Sequence, residues 1–256
     1  MLLIKTNSKS AFAGSDIPVF QVSKAEEDLF NLGVSSWVET GQRFIRVDGT
    51  GKVTGLMDRA TSDVLTPVAT APTVVDAGIP VLRFAASPML GNVDVFSADD
   101  VQTVITVNRA QLGDTRTLVG SQAASGPLLV YVDTPDTAGI RYIHKLFSDE
   151  TNSTKAVKGI GWFSGICSYD LAGGKTEIYV NGEKVASSSG KTAAISTSKG
   201  ARKLAIGGAG VNGATYPGNH DFALCIVLPG IAAHNDASVM EKIQAFLAEF
   251  MAKLTA

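Results

Sequence analysis

Residues 161–185, GWFSGICSYDLAGGKTEIYVNGEKV, constrain the fold more than any other part of this chain. Two apolar runs of strand composition flank Gly173-Gly174, and a second tight turn, Asn181-Gly182, follows at once. Gly-Gly and Asn-Gly accept the positive φ that two-residue hairpin turns require, so the segment reads as an antiparallel meander. A centre committed to such local pairing argues for a mainly β chain.

Composition agrees. The 26 glycines among 256 residues are scattered and mostly at turn positions, which suits many short strands better than long helices. A hydrophobic fraction of 45% is enough for a sizeable core. Charged residues make up 18%, the formal net charge is −2, and no dense Lys/Arg run occurs; nucleic acid is therefore not an expected partner. No apolar stretch reaches the roughly 18 residues of a spanning helix, so no membrane partner is expected. The start, MLLIKTNSKS, lacks the apolar core of a secretory signal, and synthesis in a cytoplasm is the expectation. Cys167 and Cys225 each lie inside an apolar strand-like run and read as buried, reduced thiols.

Along the chain, residues 1–48 read as an irregular N-terminal arm. It holds one short helical run over 23–30, with Ser23 as N-cap and Glu26 completing a capping box, and a strand candidate at 42–47 (QRFIRV). Residues 49–256 read as one β domain. Strand candidates fall at 53–58, 79–84, 101–107, 117–121, 127–132 and 139–147, then in the meander, and finally at 201–207 and 221–228. Pro67 and Pro72 restrict 64–75 to an edge strand or extended loop. Asp133-Thr134-Pro135-Asp136 is the clearest turn between candidates. This spacing implies about a dozen strands, enough for two packed sheets. Val239, Ile243, Phe246, Leu247 and Phe250 fall on one face of a terminal helix over 236–254, capped by Ser238 with Glu241 or by Asp236.

The order of these motifs resembles the concanavalin-A-like or laminin-G-like sandwich of tailed-bacteriophage structural proteins. Tyr169-Asp170 ends one strand, Tyr179-Val180-Asn181-Gly182 ends the next, and Leu204-Ala205-Ile206-Gly207-Gly208 follows. A glycine-rich loop over 209–220, a closing strand and the terminal helix complete the likeness, which spans residues 53–254. It implies an antiparallel β-sandwich of jelly-roll type, with the helix docked on the sandwich or on a neighbouring subunit. It also implies a non-enzymatic virion protein, a capsid decoration protein or a compact tail attachment knob. Such a protein would be made in the host cytoplasm and assemble through its arm and loops, as a homotrimer, with other virion subunits as partners.

Candidate chemistry is sparse. Glycoside hydrolases built on this sandwich place two carboxylates at even spacing on one strand, and no such run exists here. Asp99-Asp100 are adjacent and read as a solvated turn, while Glu177 and Glu183 flank Asn181-Gly182 without a partner at the needed spacing. The histidines are His144, His220 and His234; His220 adjoins Asp221, but neighbours on an extended chain diverge, and no G-x-S-x-G elbow occurs. The Cys and His spacings are not those of zinc sites. No catalytic residue and no cofactor is expected. Many laminin-G-like domains bind calcium, for which Asp170, Asn181 and Asp221 are weak candidate ligands that ordinary turn capping explains equally. The remaining ligand hypothesis is a glycan, such as a host surface polysaccharide. The loop 211–221, VNGATYPGNHD, supplies Asn212, Tyr216, Asn219 and His220, an aromatic platform among polar groups. The competing reading is a long turn with Tyr216 packed down. Trp37 and Trp162 sit among apolar neighbours and read as buried.

Overall fold

A computed structural model describes residues 22–96, 101–110, 116–122, 128–136, 139–146, 149–152, 161–170, 173–189, 202–209 and 218–255. The chain opens with α1 (Lys24–Phe30), β1 (Ser36–Glu39), β2 (Ile45–Val47), β3 (Val53–Met57), β4 (Val64–Pro67) and β5 (Thr73–Asp76). It continues through β6 (Pro80–Arg83), β7 (Met89–Asp94), β8 (Val101–Ala110), β9 (Arg116–Ser121), β10 (Leu128–Asp136) and β11 (Gly139–Leu146). Then come β12 (Asp149–Asn152), β13 (Trp162–Asp170), β14 (Lys175–Val180), β15 (Glu183–Ser189), β16 (Lys203–Ile206) and β17 (His220–Pro229). A 3-10 turn, Ala233–Asn235, leads into α2 (Ala237–Met251).

These strands form an antiparallel β-sandwich of two sheets. Among the described residues one sheet runs β15-β14-β13-β8-β17-β6-β5, with β1 also on β17, and the other runs β12-β11-β10-β9-β16-β7-β4-β3-β2. The meander expected from residues 161–185 is β13-β14-β15 at one side of the first sheet. Asn181 and Gly182 take φ of +49° and +81°, the geometry that twists two strands into a tight hairpin. Asn181 Oδ1 also accepts the Ser164 amide at 2.9 Å, tying the turn back to β13.

The central strands of the first sheet are buried on both faces. Leu82, Phe84, Phe163, Cys167, Ile178, Phe222 and Cys225 point between the sheets, where Leu65, Met89, Leu118 and Ile206 of the second sheet meet them. Val81, Ile105, Val107, Ile166, Leu224 and Ile226 point outward into a second apolar cluster with Leu29 of α1 and Ile243, Phe246 and Phe250 of α2. The two-sided burial explains why β17 reads as a continuous apolar run rather than an alternating one. Cys167 and Cys225 are both buried and free, as their apolar context implied.

The structure changes two sequence-based boundaries and decides a third that the sequence left open. Residues 22–48 are not an irregular arm, because β1 pairs residue for residue with β17 and Trp37 is wholly buried. A four-residue strand is too short to show a period, so only its pairing partner reveals it; residues 1–21 lie outside the described residues. The segment Asp133–Asp136 is not a turn: β10 runs through Asp136, which pairs with Gly139, and a register shift absorbs Thr134 and Pro135. The N-cap of α2 is Asp236, whose Oδ1 accepts the Ser238 and Val239 amides, not Ser238. At α1 the expected cap holds, with Ser23 Oγ accepting the Glu26 amide at 3.1 Å, but the Glu26 carboxylate turns to Arg59 instead of closing the box. The terminal helix docks on its own sheet.

Candidate functional site

At one end of the first sheet, four side chains stand in a row across four strands. Asp221 of β17 is in register with Arg83 of β6 on one side and Arg109 of β8 on the other. Arg109 is in register with Trp162 of β13. Cross-strand neighbours on one face lie close enough to interact directly, and all four do.

Arg83 donates from Nε to Asp221 Oδ1 at 2.7 Å and from Nη2 to Oδ2 at 2.9 Å. Arg109 donates to Oδ2 from Nε at 2.9 Å and from Nη2 at 2.8 Å. The Arg109 guanidinium stands 5.0 Å over the Trp162 ring, and the indole Nε1 donates to the Thr255 carbonyl at 2.9 Å. Asp221 is 1% exposed, whereas the side chains of Arg83 and Arg109 are 43% and 19% exposed. Burial opposes ionisation of Asp221, but the two guanidinium groups overcome it and hold the carboxyl below its ordinary range. The same contact raises Arg83. The result is one buried anion holding two cations, a fixed local excess of positive charge.

The preceding residue faces the other way. His220 is wholly buried between the sheets, its ring stacked on Phe84 with centroids 5.2 Å apart and planes 9° apart. It is a core histidine and cannot serve as the surface glycan contact that the sequence offered. Asn219 is half-buried, and Asn212 and Tyr216 lie outside the described residues. The strand-borne row Arg83-Asp221-Arg109-Trp162 went unseen in the sequence. Its only local signal is a cation near the end of each of two apolar strands, and the pairing that brings them together spans residues 83 to 221.

The three calcium candidates are not gathered. Asp170 pairs with Val101 and Asp221 with Arg109, at opposite ends of β8, roughly 27 Å apart along a strand. Asp170 accepts the Gly173 amide and Asn235 Nδ2, Asn181 accepts the Ser164 amide, and Asp221 is taken by the arginines. Each oxygen is spent on structure, which removes the physical basis for that ligand set. Among the described residues no group of three or more His, Cys, Asp or Glu side chains could hold a metal ion.

Ser168 and His234 form a serine–histidine contact, but Ser168 is wholly buried beneath the 3-10 turn, out of reach of any substrate. Glu177 is buried, with Lys175, Lys184 and Tyr179 on its carboxylate. Burial opposes its ionisation and the Lys175 and Tyr179 hydrogen bonds outweigh that, keeping it ionised and engaged. Trp37 is buried as expected, whereas Trp162 is half-buried at the row. A cavity of about 350 Å³ lies between α2 and the β14–β15 turn, lined by Ser164, Asn181, Gln244, Leu247 and Met251. No helix of the described residues is long and apolar enough to cross a membrane.

No protein-family model matches this chain, and no curated protein matches it. Solved structures do. The binding domain of botulinum neurotoxin DC in complex with SialylT is similar over 85% of this chain and 51% of that one, at 9% identity and a TM-score of 0.56. The binding domain of botulinum neurotoxin serotype D/C VPI 5993 is similar over 86% and 53%, at 10% identity and a TM-score of 0.56. This chain thus spans about half the length of those domains. A lesser likeness, to the Ruminococcus gnavus IT-sialidase CBM40, covers 56% of this chain at 14% identity and a TM-score of 0.45. At such identities the likeness is one of fold.

Proposed function

We propose that this chain is a carbohydrate-binding module that acts by recognition, without catalysis. The observation that carries the reading is the row at the end of the first sheet. Partly exposed guanidinium donors and an indole are held there on rigid strands rather than on loops. Sugar sites need this combination of an apolar platform and convergent polar groups, placed with little freedom to lose on binding. The neurotoxin binding domain that shares the fold was solved with SialylT, which supports a sugar as the ligand class.

Absence of chemistry is part of the reading. Ser168 is buried against His234, and Glu177 is held by two lysines, so neither offers a free nucleophile or acid to a substrate. The test is a glycan array probed with the full chain, followed by saturation-transfer NMR on the hits. Saturable binding without turnover is expected. Absence of binding across neutral and acidic glycans, or release of reducing sugar, would overturn it. A virion location and trimeric assembly rest on the sequence resemblance alone; a monomer by light scattering would withdraw the trimer.

A further inference from the structure

We propose that the end of the first sheet recognises the carboxylate of an acidic sugar through Arg83 and Arg109. This inference rests on the sugar-binding reading and names its ligand class. A guanidinium has five N–H donors and two edges that can each engage a carboxylate. Both arginines present the Nε/Nη2 edge to Asp221. That choice leaves Nη1 and the second Nη2 proton of each, the outer edge, directed away from Asp221.

Asp221 is 1% exposed and therefore orients the arginines without competing at the surface. Two guanidinium charges face one buried carboxylate, so a net positive charge remains where Arg83 meets solvent. A neutral sugar gains nothing from that excess. A carboxylate gains both its charge and a planar double hydrogen bond, which a lysine cannot supply. Pre-organisation strengthens the case, because Arg109 is braced between Asp221 and the Trp162 ring, and that ring is pinned through Thr255. The ordering entropy of the donors is thus already lost before the ligand arrives.

The experiment titrates the full chain with two matched pairs: sialyllactose against lactose, and oligogalacturonate against a neutral galactan. The pairs separate sialic from uronic acids as the source of the carboxylate. Arg83→Gln and Arg83→Lys are titrated alongside, with thermal midpoints to confirm folding. The expected result is tighter binding of one acidic member by roughly tenfold or more, and a similar loss in Arg83→Gln. Arg83→Lys is expected to recover little, since it restores charge but not the fork. Affinity of the unaltered protein should also fall as salt is raised. Equal binding of acidic and neutral members, or unchanged binding in Arg83→Gln, overturns this inference and leaves the sugar-binding reading standing. No binding to any of the four overturns both.

Discussion

The Ser168 hydroxyl lies 2.7 Å from Nδ1 of His234 and joins the middle of β13 to the 3-10 turn that starts α2. Ser168 Oγ also accepts the His234 amide at 3.2 Å, a second tie between the strand and the turn. Beside it, Thr103 Oγ1 accepts the Ala233 amide and donates to the Ile231 carbonyl. Two buried hydroxyls thereby satisfy a turn that would otherwise bury bare backbone groups. A second proton on the ring would change this contact, which makes it sensitive to acid.

His234 should cost the fold stability at mildly acidic pH. Burial is the main cause that lowers its pKa below 6.5; Glu177 and Asp170 oppose that shift, and Lys175 and Lys184 reinforce it. A histidine depressed in the folded state stabilises fully above its unfolded value and loses that contribution as pH falls through the folded value. Thermal midpoints of the native chain should therefore drop between about pH 7 and pH 5, and those of His234→Asn should drop less. Parallel curves for the two proteins would show that this contact does not titrate.

Trp37 should be one of the costliest side chains to remove. Its ring meets Phe246 of α2 edge-on at 5.0 Å and lies 4.8 Å beneath the Arg59 guanidinium, while Nε1 donates to Glu39 at 2.9 Å. Trp37→Ala is expected to cost about 3–5 kcal/mol in urea unfolding. Deleting residues 22–48 should abolish cooperative unfolding, since β1 and α1 close the outer cluster. A stable folded fragment lacking them would contradict their place in the core.

Asp221→Ala leaves two arginines facing each other without their anion. Loss of one partner of a buried pair costs about 3–5 kcal/mol, and the exposure of Arg83 reduces this to about 2 kcal/mol. Because the folded-state pKa of Asp221 is depressed, its contribution is present above the ordinary value of 3.8 and is lost as pH falls below it. Acid unfolding of Asp221→Ala should lack that step.

Much of the fold was legible because its signals are local. Asn181-Gly182 specifies a hairpin through two positive φ values, and Val239, Ile243, Phe246, Leu247 and Phe250 mark one helix face at the period of the backbone itself. The misread pieces are those whose order depends on distant partners. The strand Ser36–Glu39 becomes visible only beside β17, and Pro135 is tolerated inside β10 through a register shift rather than a turn.

The candidate site divides the same way. By itself the sequence determined a mainly β chain with a central meander, two buried thiols and an amphipathic terminal helix, because spacing and turn chemistry act between near neighbours. Only the tertiary structure decided that His220 faces inward onto Phe84 while Asp221, one residue on, faces outward to Arg83 and Arg109. Alternation along a strand states that adjacent residues part; strand register, which pairs residues 112 and 138 positions apart, decides what each one meets.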